Sequence, residues 1–128
     1  MRHFVQYHNP RKMGSYRHSR GDSYGIETDK PVDSLVGDRI WLVTRDGDPL
    51  CYSPCETFIV ETVERVGTAS RRNKARASKG KAFTRPMRLD SEPWFPALQR
   101  STGNFAFGLQ RIQHQRIIAG LSTFLCEV

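Results

Sequence analysis

The sequence predicts an α+β domain rich in strands, with about five to six strands, short helices and a C-terminal helix. Three observations predict it. "DRIWLVT", 38–44, holds the unbroken apolar run Ile40–Val43, which suits a buried strand. "TFIVETVERV", 57–66, alternates, with Phe58, Val60, Thr62 and Glu64 on one parity and Ile59, Glu61, Val63 and Arg65 on the other. "QHQRIIAGLSTFL", 113–125, places Ile117, Ile118, Leu121 and Leu125 at helical spacing with Phe124 beside them, the pattern of an amphipathic helix.

The remaining elements follow in chain order. "RHFVQYH", 2–8, reads as a first strand through Phe4, Val5 and Tyr7, ended by Asn9-Pro10, since the residue before proline is steered out of regular pairing. Residues 9–25 are polar, with glycine, serine, Tyr16 and Tyr24; a loop of such length in a small domain points to function. "YGIETDKP", 24–31, reads as a short strand stopped by Pro31, and Val32, Leu35 and Val36 as a helical turn before Gly37. "RDGDP", 45–49, is a turn by its aspartate, glycine and proline. The strand 57–66 is read as long and partly exposed, ending at Gly67, and "TASRRNKARASKGKA", 68–82, as a flexible loop or frayed basic helix, because it has no large apolar residue. "FTRPMRL", 83–89, is extended around Pro86; "SEPWFPAL", 91–98, carries a helix start at Ser91-Glu92-Pro93, with Pro96 keeping that helix to about a turn. "GNFAFGLQRI", 103–112, reads as a further strand holding Asn104 and Gln110 among apolar residues.

The 128 residues suit one domain, standing alone or as part of a larger protein. No apolar run reaches the ~18 residues of a membrane span, and "MRHFVQYHNPRKMG" lacks the apolar core of a secretory signal. A cytoplasmic location without membrane contact is the expectation. Three cysteines, Cys51, Cys55 and Cys126, form no disulfide framework, and the Cys51–Cys55 pair lacks the two further ligands of a zinc site. No metal and no cofactor are expected.

Charge is segregated along the chain. The net charge is +7; residues 1–21 hold five Arg or Lys and no acid, 22–64 ten acids against three bases, and 71–88 eight bases and no acid. Two basic segments flanking an acidic middle create positive surfaces that attract polyanions. Nucleic acid is the expected partner. Arg11, Lys12, Arg17 and Arg20 in one segment, and Arg71, Arg72, Lys74, Arg76, Lys79 and Lys81 in the other, are the expected phosphate contacts, which supply affinity without reading sequence.

The order of pieces, and "LVGDRIWLV" (35–43) followed by "FIVETVERVG" (58–67), resembles the PUA-like superfamily, especially its EVE and ASCH branches. The resemblance covers residues 1–112 in architecture and rests on one short motif, Gly-Asp leading into an apolar strand. It implies a small β-barrel in which Gly37 supplies a sharp turn and Asp38 a side-chain hydrogen bond to that turn. It also implies nucleic-acid binding, with a base, in some relatives a modified one, held in an aromatic cage. The "YHNP" segment and the terminal helix match no core motif of the superfamily.

A cage needs ring walls and groups that read a base edge. The pocket candidates are Tyr7, His8 and Asn9 at the end of the first strand, Trp41, Trp94, Phe95 and Asn104. Core packing competes for Trp41 in its apolar strand, for Trp94, and for Phe105 and Phe107. Turn formation competes for Asn9 and Asn104, and a structural hydrogen bond for His8. No catalytic residue is assigned. The competing functions are a small nuclease or RNA-processing enzyme using His8, His18 and Lys12, and a protein-interaction module using the acidic segment or an oligomer built on the terminal helix.

Overall fold

A computed structural model describes residues 1–8, 24–46, 51–65, 73–83, 87–106 and 108–126. In chain order these form β1 (His3–Tyr7), β2 (Tyr24–Thr28), β3 (Arg39–Asp46), β4 (Cys51–Ile59), β5 (Thr62–Glu64), β6 (Asn73–Ala77), β7 (Gly80–Ala82), α1 (Phe95–Ser101), β8 (Gln110–Ile112), α2 (Gln115–Ser122) and a 3-10 turn, Thr123–Cys126. The architecture is mixed α+β, mostly strands. Among the described residues the strands pair into two sheets, one in the order β7-β4-β3-β1-β8 and one in the order β2-β6-β5, rather than into a closed barrel.

Strand β3 shows why Ile40–Val43 is apolar without a break. It pairs in parallel with β1 and antiparallel with β4, so it is central, and both of its faces are covered. Trp41 and Val43 face a cluster with Val5, Phe95, Leu98, Ile117 and Leu121 of the helical layer. Ile40 and Leu42 face the smaller sheet, against Ile26, Phe58, Val60, Ala75 and Ala77. A strand buried on both faces loses the period of two.

Several boundaries differ from the sequence reading. The strand expected over 57–66 begins at Cys51 instead. Between Leu42 and Val43 the pairing register shifts, so that Val43 faces Pro54 while Leu42 faces Glu56. Cys55 is the extra residue of a bulge, a place where a strand tolerates a proline. The same strand breaks after Ile59. The Val60 N–H donates to the Asp38 carbonyl, the Val60 carbonyl accepts from Gly37, and the Glu61 N–H donates to Arg76. The chain thus crosses from the large sheet to the small one, and β5 belongs to the second.

The basic stretch read as a loop contributes β6 and β7. Its apolar residues are alanines, and Ala75 and Ala77 are buried where the two sheets meet. Gly80 is equally confined: a Cβ there would lie 2.7 Å from the Thr57 carbonyl and 3.0 Å from Tyr24. Among the described residues eight strands therefore stand where five to six were expected.

Pro96 sits at the start of α1 rather than ending it, as suits a residue with no N–H to contribute. The expected strand 103–112 shrinks to Gln110–Ile112, because Thr102–Ala106 form turns. The helical turn expected at 32–36 is a pair of turns, and Gly37 does bend there with φ +90°. The Asp38 side chain, however, accepts hydrogen bonds from Arg2 rather than from the turn. The terminal helix buries Ile117, Leu121 and, in the 3-10 turn, Phe124. No described helix is long and apolar enough to cross a membrane.

Candidate functional site

The C-terminal ends of β1 and β3 and the start of β4 meet at one end of the large sheet. Parallel register sets Tyr7 beside Val43, and antiparallel register sets Arg45 beside Tyr52. Here the rings gather. Tyr7 stacks on Phe105 at 6.3 Å between centroids with 28° between planes, Tyr52 lies 5.4 Å from Phe105, and Tyr7 meets Tyr52 edge-on at 6.4 Å. Phe95, the first residue of α1, closes the cluster from below at 5.2 Å from Tyr52. Phe105 is buried, while Tyr7 and Tyr52 are half-buried and keep part of their surface in solvent. The Arg45 guanidinium lies 5.3 Å from the Tyr52 ring centroid, within cation–π range.

The loop after α1 supplies the polar component. Gly103, Asn104 and Phe105 are three successive residues in the left-handed region, with φ of 58°, 57° and 63°. For a phenylalanine that conformation costs about 1–2 kcal/mol, so surrounding contacts must hold it. The Asn104 N–H donates to the Gln99 carbonyl at 2.7 Å, and the Phe105 N–H to the Thr102 hydroxyl oxygen at 3.2 Å. The result turns the Phe105 ring inward and leaves Asn104 exposed at the surface. Its Oδ1 accepts from Gln99 Nε2 at 3.1 Å and weakly from the Tyr52 hydroxyl at 3.4 Å. With its carbonyl occupied by two donors, one of them the Tyr52 hydroxyl, the amide keeps its NH2 group to donate.

The expected pocket residues do not all meet here. Tyr7 and Asn104 do. Trp41, Trp94 and Phe95 are core residues with 0%, 7% and 1% of their surface exposed, and this corrects their reading as pocket walls. Trp41 is covered because its strand is central. Trp94 is covered by α2: a Cβ on Gly120 would collide with its indole Nε1. His8 prolongs β1, its N–H donating to the Val43 carbonyl at 2.7 Å and its carbonyl accepting from Thr44 Oγ1 at 3.0 Å.

The basic residues are similarly divided. Lys74 approaches Glu27 at 3.9 Å. Arg76 is exposed on the small sheet and paired in register with Thr62 and Gly25. Lys79 lies near the Glu61 carboxylate, which accepts from Ser78. Lys81 Nζ donates to the carbonyls of Phe124 and Leu125 at 2.9 and 3.1 Å, holding the C-terminal turn rather than facing outward. Asn9, Arg11, Lys12, Arg17, His18, Arg20, Arg71, Arg72 and Phe107 lie outside the described residues.

Sequence reasoning missed Tyr52, Arg45 and Gln99. Tyr52 stands two residues before Pro54, between the turn read at 45–49 and the strand read from 57, and only the bulge reveals a strand there. Arg45 was assigned to that same turn, yet its alternation with Trp41 and Val43 was a usable signal.

Among the described residues the most perturbed acid lies elsewhere, between the sheets. Burial pushes the Glu56 carboxyl up to about 7, against a hydrogen bond from the Gly25 N–H that favours the ionised form. Among the described residues no group of three or more His, Cys, Asp and Glu side chains is placed to hold a metal ion. Cys51 and Cys55 are buried and take part in no disulfide. No family model, no curated protein and no solved structure matches this chain.

Proposed function

We propose that the protein is a nucleic-acid-binding domain of PUA-like type that receives one base, plain or modified, at the Tyr7–Tyr52–Phe105 cluster. The observation that carries this reading is the oriented Asn104 amide beside two part-exposed tyrosine rings, held by a backbone conformation that costs energy. Such strain is retained where a site needs it. An unstacked base offers a flat face to the rings and acceptor atoms to the Asn104 NH2 group. Stacking on one ring is worth roughly 1–3 kcal/mol. Arg45, lying over Tyr52, adds positive charge for the adjoining phosphate. β1 ends at the cluster.

The test is a binding panel of single- and double-stranded DNA and RNA, with plain and modified bases and with an abasic nucleotide, at two salt concentrations. Base-bearing single strands should bind in a salt-sensitive manner and remain uncut. Tyr52→Ala should weaken them about tenfold or more while leaving an abasic strand nearly unchanged. Equal losses on both strands, or no binding at physiological salt, would refute the proposal.

A further inference from the structure

A second polar cluster lies on the same face of the large sheet at the opposite end of its strands. Parallel pairing sets His3 of β1 beside Arg39 of β3, six residues along β3 from Arg45, or about 20 Å of extended strand. Both side chains are fixed. The Arg39 guanidinium lies 5.7 Å from the Trp41 ring centroid and donates one N–H to Thr57 Oγ1 at 3.0 Å. Thr57 gives its own hydroxyl hydrogen to the Ile40 carbonyl at 2.8 Å, so its oxygen is committed to accept from Arg39. The His3 ring stacks on Trp41 with 17° between planes, and its Nδ1 accepts from the Trp41 indole N–H at 3.1 Å. The neutral imidazole therefore carries its hydrogen on Nε2, on the side of the ring away from that bond.

The charge of this cluster is not balanced. Arg39 is half-buried, and no carboxylate among the described residues lies within ion-pair distance of it. The neighbouring acid, Asp38, is engaged by Arg2. Desolvation lowers the Arg39 pKa, and desolvation together with the Arg39 charge lowers that of His3. A half-buried cation without a counterion is costly, and an anion would offset that cost. The residue paired with Arg39 on its other side, Ile59, is itself exposed, so the guanidinium is reachable from solvent.

We propose that His3 and Arg39 bind a phosphate oxyanion, the guanidinium fork taking two oxygens and His3 Nε2–H another. This site is separate from the base-binding cluster and does not depend on it. The phosphate belongs either to a nucleic-acid backbone or to a free phosphate ion.

Histidine NMR tests the site, because a bound anion favours the imidazolium. The His3 titration is followed in chloride, in inorganic phosphate and with an oligonucleotide lacking terminal phosphates, at constant ionic strength. The expected result is a rise in the His3 midpoint by about one pH unit with at least one phosphate source. A response to the oligonucleotide alone assigns a backbone phosphate, and a response to inorganic phosphate alone a free ion. Arg39→Gln should abolish the response and Arg39→Lys should weaken it. The indole N–H signal of Trp94, buried against α2, reports whether each variant keeps the fold. Tyr52→Ala should retain the full response to inorganic phosphate and to the oligonucleotide at saturation, which separates failure of this site from failure of the base-binding reading. A His3 midpoint unmoved by both sources overturns the proposal.

Discussion

Arg2 closes on Asp38 from two directions: its backbone N–H reaches Oδ1 at 2.9 Å, and its guanidinium reaches Oδ2 at 2.9 Å through Nε and 2.6 Å through Nη2. The same guanidinium donates to the Ser34 carbonyl at 2.6 Å. These bonds tie the start of β1 to the turn that launches β3, and so hold together the parallel pair on which both polar clusters stand.

Asp38→Ala should therefore destabilise the fold by about 1 kcal/mol, the scale of a charge-assisted hydrogen bond with one part-exposed partner. Burial alone would raise the Asp38 carboxyl, but the side-chain and backbone hydrogen bonds and the charge of Arg2 outweigh it and hold the pKa below the ordinary carboxylate value. A folded-state pKa that is depressed adds stability above the unfolded pKa and loses it as pH falls through the folded one. Chemical denaturation from pH 6 down to about pH 2 should show a larger loss in the parent than in Asp38→Ala, where Glu61 is left as a carboxylate with a depressed pKa.

Glu56 predicts the opposite pH dependence. Its folded pKa of about 7 stands above the ordinary value of 4.5, so the folded state binds the proton more tightly than the unfolded chain. Stability should be fully present below about pH 4.5 and decline as pH rises toward about 7. The shift corresponds to on the order of 3 kcal/mol. Glu56→Gln keeps an acceptor for the Gly25 N–H and removes the ionisation. Denaturation at pH 5 and pH 8 should show that the variant lacks the alkaline loss Glu56 contributes in the parent, so that the variant is more stable than the parent at pH 8.

Asn104 separates stability from recognition. Glycine adopts a φ of 57° without the penalty asparagine meets. Asn104→Gly should leave thermal stability unchanged or raise it by up to about 1 kcal/mol. Discrimination among bases in the binding panel should fall, because the NH2 group is gone. A variant that reads bases as well as the parent would show that the amide takes no part.

Gly120 lies inside α2, where alanine is intrinsically favoured by about 1 kcal/mol. A Cβ there would collide with the Trp94 indole, and overpacking a core costs typically 1–3 kcal/mol. Gly120→Ala should thus lower the melting temperature despite the gain in helix propensity. A higher melting temperature would mean that Trp94 yields easily.

What the chain determined by itself is the set of elements with a strong local signal. β1, β2, β3 and α2 stand where their apolar spacing and flanking turns set them, because a strand or helix needs only a local period and a stop. Charge segregation is likewise a property of the chain alone. Tertiary structure decided the rest. β4 is a strand through Ser53 and Pro54 because a bulge opposite Val43 absorbs the proline. β6 is a strand without large apolar residues because two sheets approach closely over Ala75 and Ala77. Asn104 and Phe105 leave a strand-like pattern for the left-handed region because hydrogen bonds to Gln99 and Thr102 compensate the backbone cost. Trp41 and Trp94 are sealed because layers remote in sequence cover them, while Tyr52 and Arg45 reach the ring cluster through cross-strand register. Local propensity is a sum over neighbours in sequence; exposure, register and compensation are set by neighbours in space.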